Sequence, residues 1–124
     1  MKKKKVNPSE TKAKNVDLMN SYIGKKVIVR ANTAGVHAGV IAEIDLANKS
    51  VVLKNACRLW RVYTRDSSGS ISDIAANGLK EPLNQHSIGA KLLSVLIVND
   101  AGLEVAEMTD GAYESILAAA PKEK

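Results

Sequence analysis

Residues 26–63 read KVIVRANTAGVHAGVIAEIDLANKSVVLKNACRLWRVY, and this stretch decides the fold. Short β-prone runs separated by Gly and Asn turns are the pattern of antiparallel strands with tight connections. Residues 25–30 make a first strand around Val27 and Val29, and 31–35 a turn or short loop. Val36 to Asp45 forms a longer strand in which Gly39 marks a bulge or a sharp bend. Ala47-Asn48-Lys49 turns the chain into a strand from Ser50 to Asn55. Asn55-Ala56 interrupts that strand before Arg58 to Thr64 runs on. Strands this short, bent at glycine, favour a small, partly closed barrel over a flat sheet.

Working outward, Asp66–Gly69 is a loop, and Ser70 with Asp73 three residues later signals a helix N-cap. Gly78 suits the position just past the end of that short helix. Residues 80–89, with Pro82, connect to a strand over 91–99, and Asp100-Ala101-Gly102 is a hairpin turn back into Leu103–Met108. Thr109 caps a terminal helix over 110–119, with Tyr113, Ile116 and Leu117 at helical spacing. The expected class is α+β, mainly β: a small bent barrel of five to six strands with one short helix and a C-terminal helix. Residues 1–19 read as a flexible basic arm, and 20–120 as a single domain.

The bulk composition narrows the chemistry. Aromatics are few (Tyr22, Trp60, Tyr63, Tyr113, no Phe), so the core is built of Val, Ile, Leu and Ala. The single cysteine, Cys57, excludes an internal disulfide and any cysteine-rich metal site. No apolar run approaches the roughly 18 residues of a membrane span, and Val6-Asn7-Pro8-Ser9-Glu10 stands where a signal peptide would carry its apolar segment. A soluble protein of a reducing cytoplasm is expected. The net charge is +5, and residues 1–17 alone hold six Lys against Glu10 and Asp17. The remainder is polarised, with eight bases against two acids over 25–65 and five acids with no base over 100–114. Such halves can pair within one subunit or between subunits, so a high pI is weak evidence for nucleic acid.

Arg58, Arg61 and Arg65, with Trp60 and Tyr63 between them, are the leading site cluster. Arginine offers a planar fork for phosphate or carboxylate, and an aromatic face stacks a base or a guanidinium. Alternation puts Arg58 and Trp60 on one strand face and Arg61 on the other; the competing reading makes Trp60 a barrel plug whose arginines pair with the acidic stretch. Gly35, His37 and Gly39 form the second candidate, two glycines admitting a close ligand approach and a histidine to hydrogen-bond it. A glycine bend explains them nearly as well. Cys57 reads as a buried structural thiol, His86 as a solvated loop residue, and Glu104 and Glu107 as a solvated face. No metal-ligand spacing, catalytic constellation or cofactor motif is present. Lys2, Lys3, Lys4 and Lys5 can contact an anionic surface or serve as a solubilising tail.

Two resemblances follow. AGVHAGVIAEID, SVVLKNA and LWRVY in this order are similar to the bent five-stranded pattern of Sm-like and other SH3-like small barrels, which implies RNA binding and ring assembly. The helix those barrels place before the first strand is replaced here by the basic arm. Tyr22–Lys25, Ala34–Gly39, Val51–Leu53, Ala56–Trp60 and Ser70–Gly78, within residues 20–117, resemble a family of small uncharacterised phage and prophage proteins. That family commonly carries further aromatics where Arg61–Arg65 stands here. The expectation is a non-enzymatic phage accessory protein, a homo-oligomer in the host cytoplasm, that binds a host protein or a small anionic, nucleotide-like ligand through Gly35, His37, Gly39, Arg58, Trp60 and Arg61. The alternatives are a structural virion component and an RNA-binding Sm-like module.

Overall fold

A computed structural model describes residues 20–65 and 70–121. The basic arm, with Lys2–Lys5, lies outside the described residues, as does the loop over 66–69. A helical end at 20–22 leads into β1 (Lys26–Ala31), β2 (Gly35–Asp45) and β3 (Ser50–Arg61). Helix α1 (Ile71–Asn77), a 3-10 turn (Leu83–Gln85), β4 (Ser87–Ile88), β5 (Leu92–Ile97), β6 (Glu104–Glu107) and helix α2 (Asp110–Ala119) complete the order. All ladders are antiparallel. The sheet runs β4-β3-β2-β1-β6, with β5 on the same edge of β3 as β4. The α+β, mainly β expectation holds, but the end strands form no ladder with each other and the barrel stays open.

Three departures from the sequence reading have physical causes. Asn55 does not end the third strand. It takes φ +50° inside a continuous β3, at a bulge where Lys54 pairs with Val40 and Cys57 with Ala38. Gly39 faces this bulge, and a Cβ there would lie 3.0 Å from the Lys54 carbonyl oxygen and 3.1 Å from the Ala56 Cβ. The close passage of the two backbones therefore favours glycine, since a Cβ would force its neighbours to shift. The Tyr113 hydroxyl donates to the Asn55 carbonyl at 2.8 Å and so ties α2 to the bulge.

The second departure concerns β5 and β6, which are not hairpin partners. β5 pairs with β3 and β6 with β1, so residues 98–103 carry the chain from one sheet edge to the other. Asp100 makes that crossing specific. Its carboxylate accepts from the backbone N–H of Asn32 (2.8 Å), Thr33 (2.9 Å) and Gly102 (3.0 Å), while its own N–H donates to the Lys49 carbonyl (3.1 Å). These backbone donors hold the carboxyl below its ordinary pKa. Third, the 80–89 connection carries the 3-10 turn and β4, which covers the end of β3.

The sheet buries both faces. On one side Ile28, Ala38, Cys57 and Leu59 pack against Ile74, Leu79, Met108, Tyr113 and Ile116 of the helical layer. On the other, Val27, Val29, Ala31, Ile41, Val51, Leu53 and Ile97 form a second cluster inside the curve of the strands. Each fully buried aliphatic side chain contributes about 1.5–3 kcal/mol, so these two layers dominate stability. Both helices are capped as their sequences require: Ser70 accepts from the Asp73 N–H and Thr109 from the Ala112 N–H.

Candidate functional site

The β2–β3 ladder sets His37 directly opposite Arg58, and Gly35 stands two residues before His37 on the same strand face. Gly35 adopts φ +81°, and a Cβ there would stand 2.9 Å from Arg58 Nη2 and 3.4 Å from its Cζ. The guanidinium thus lies against bare backbone. On its other side Arg58 Cζ sits 3.7 Å from the centroid of the Trp60 ring, a close cation–π contact. Trp60 is 62 % exposed. It is a surface platform, and the barrel-plug reading is wrong. The rim is completed by Gly89, whose N–H donates to the Arg58 carbonyl at 2.8 Å. A Cβ at Gly89 would fall 3.7 Å from Trp60 Nε1.

His37 lies beneath this platform, 5 % exposed, with Nε2 donating to the Ala34 carbonyl at 2.7 Å. Its Nδ1 is buried and has no hydrogen-bond partner among the described residues. Burial lowers its pKa; the Ala34 contact opposes this and the Arg58 charge adds to it. The ring is therefore neutral, with its proton on Nε2 and a bare acceptor at Nδ1 beside Arg58.

The six expected residues separate into two groups. Gly35, His37, Arg58 and Trp60 come together. Gly39 serves the bulge, and Arg61 turns to the opposite strand face, where its Cζ lies 5.8 Å from the Tyr63 ring centroid. The arginines were open to capture by the acidic stretch; among the described residues only Arg30 is taken, by Glu104 at 3.1 Å. Glu107 and Asp110 pair with Lys25 and Lys26 at 3.1 and 3.0 Å. These exposed pairs each stabilise by about 0–1 kcal/mol. Among the described residues neither Arg58 nor Arg61 has a carboxylate partner.

His86, expected in solvent, is buried: Nδ1 accepts from the Tyr63 N–H (3.0 Å) and Nε2 donates to the Lys80 carbonyl (2.7 Å). It fixes the chain beyond β3. Cys57 is buried in the helical-side core, and burial raises its thiol pKa, so it is a packing residue. Gly89 and Lys80 escaped the sequence reading because only the fold of the 80–89 connection brings them to β3. Among the described residues no three His, Cys, Asp or Glu side chains gather to hold a metal ion, and no helix is long and apolar enough to cross a membrane.

Fold and site together define a small, β-rich domain with an arginine–tryptophan platform on a rigid strand pair. Residues 24–116 match the family described as a domain of unknown function (DUF6948), and the chain belongs to that family. Searches of curated proteins and of solved structures find no match.

Proposed function

We propose that the protein is a non-enzymatic binding module that holds a small anionic ligand bearing a planar ring, of the nucleotide type, on Arg58 and Trp60. One observation carries this reading. A guanidinium that has no carboxylate partner among the described residues is held 3.7 Å from a ring that is itself 62 % exposed. Arginine in this setting keeps N–H groups for a phosphate or carboxylate, and the indole presents a stacking surface. Gly35 and the His37–Ala34 hydrogen bond preorganise the strand beneath, which lowers the ordering cost of binding. The likeness of the sequence to small phage proteins supports placing this activity in a phage accessory factor acting in the host cytoplasm. An acidic group on a host protein would engage the same residues.

Trp60 is the only tryptophan, so its fluorescence reports the site directly. Titration with a nucleoside monophosphate is expected to quench it saturably, and Arg58→Ala to abolish the quenching while the thermal midpoint stays near wild type. Unchanged fluorescence at millimolar ligand would refute the reading.

A second reading, a structural or assembly role, is favoured by β5. This edge strand exposes Leu92, Leu93 (89 %) and Leu96, and Val98 just beyond it is exposed as well. Unpaired backbone with large apolar side chains suits pairing with β5 of a second copy. Native mass spectrometry at several concentrations tests it: a dimer lost in Leu93→Lys/Leu96→Lys supports assembly, and a monomer throughout removes it.

A further inference from the structure

β5 is a sheet edge with little to guard it. It pairs with β3 alone, and among the described residues its other side has no partner strand. Sheets protect such edges with lysine, proline or a bulge. Residues 92–98, LLSVLIV, carry no charge and no proline, and β5 keeps one register along β3. Val95 and Ile97 stand opposite Leu53 and Val51 and share their concave cluster. Alternation puts Leu93 on that same face, where it is 89 % exposed, and Leu92, Ser94 and Leu96 on the other. Apolar surface is therefore open on both faces of one edge. Leu92, Leu93, Leu96 and Val98 leave roughly 400–500 Å² uncovered per copy, so two copies bury about 1,000 Å² with their strand backbones, the lower bound of a specific interface.

We propose that two copies of the chain join β5 to β5 in antiparallel pairing, about a two-fold axis that passes by Val95. The inference rests on the assembly reading of β5 and fixes its geometry. An axis normal to the sheet keeps each face continuous from copy to copy, so it passes by a residue and not between two. Charge chooses the residue. Lys54 stands opposite Ser94, whereas Val52 and then Glu43 stand in line with Leu96. With the axis at Ser94, the two Lys54 side chains would share one cross-strand row. With the axis at Val95, Ser94 lies beside the partner's Leu96, and each Lys54 shares its row with the partner's Glu43. Leu93 then lies beside the partner's Ile97 and Leu92 beside the partner's Val98, which covers exposed side chains on both faces. Arg58 stands in one row with His37 and Val29, and Val29 belongs to the concave cluster. Both Arg58–Trp60 platforms therefore open on the same face of the joined sheet, and the dimer presents two of them to a partner that repeats its anionic group.

The test uses the full chain. Native mass spectrometry from about 1 to 100 μM is expected to show a dimer, as an interface of this size associates in the micromolar range. Mild oxidation of Val95→Cys is expected to give a covalent dimer, since directly opposed Cβ atoms lie about 4.5–5.5 Å apart. Ser94→Cys, diagonal to its own copy at about 7–8 Å, is expected to stay uncrosslinked. The native Cys57 is buried and does not compete. Leu93→Lys/Leu96→Lys should be monomeric at every concentration with circular dichroism unchanged. A dimer that Val95→Cys fails to cross-link overturns this geometry and leaves the assembly reading standing. A dimer that persists in Leu93→Lys/Leu96→Lys places the contact away from β5 and overturns both. A monomer throughout also overturns both and leaves the edge to a strand of some other protein.

Discussion

Gly35 controls the platform more tightly than any residue that would touch a ligand. Its φ of +81° costs a non-glycine residue about 1–2 kcal/mol, and a Cβ would stand 2.9 Å from Arg58 Nη2. Gly35→Ala is expected to destabilise the fold by about 1–2 kcal/mol and to push Arg58 off Trp60, seen as a change in tryptophan emission without ligand. Emission and stability both at wild-type values would show that the backbone does not seat the guanidinium. Arg58 and Trp60 were legible as a pair because residues two apart on a strand share a face. The burial of His37 and His86 was not, because each is set by carbonyls, Ala34 and Lys80, that sequence spacing does not place. Trp60→Ala removes an exposed side chain, so thermal unfolding should shift by no more than about 0.5 kcal/mol. A large loss would return Trp60 to the core.

At the scale of elements, β1, β2 and both helices followed their patterns; β3 ran on through Asn55, β4 rose within the 80–89 connection, and β5 and β6 departed over partners. The Asp100-Ala101-Gly102 turn announces a reversal, but a turn does not state which strand its arms join. Here the three backbone N–H groups held by Asp100 send β6 to β1 and leave β5 on β3. Asp100→Asn keeps the size of the side chain and removes its charge. We expect it to lower the thermal midpoint at neutral pH and to speed hydrogen exchange at Asn32, Thr33 and Gly102 above the rest of the loop residues. Uniform exchange across these amides would show that the carboxylate is not the clasp. The exposed leucines of β5 belong to this scale as well: if they meet a second copy, Leu93→Lys/Leu96→Lys yields a monomer of unchanged fold.

For the whole molecule, the acids at 104, 107 and 110 are matched by bases of the same chain, so the basic pI by itself said little about partners. The acidic stretch closes onto the first strand through Lys25, Lys26 and Arg30, and among the described residues Arg58 and Arg61 at the end of β3 have no carboxylate partner. Stability should depend on pH through His37. Its folded pKa lies below its ordinary 6.5, so the unfolded chain binds the extra proton between the two values. That contribution is complete above 6.5 and is lost as pH falls through 6.5 toward the folded value. Asp100, also depressed, adds a second loss beneath its ordinary 3.8. Thermal midpoints followed from about pH 8 to pH 5.5 should decline in the wild type and decline less in His37→Gln. Equal slopes in the two proteins would assign the dependence elsewhere.

The most direct test of the platform is the single indole N–H resonance of Trp60, followed by ¹⁵N–¹H correlation spectra during titration with a nucleoside monophosphate. A saturable shift of that peak is expected, with the amides of Gly35, His37 and Gly89 moving in step, and no shift in Arg58→Ala. An indole peak that stays fixed while amides elsewhere move would place the ligand away from Trp60 and rule out the platform as its site.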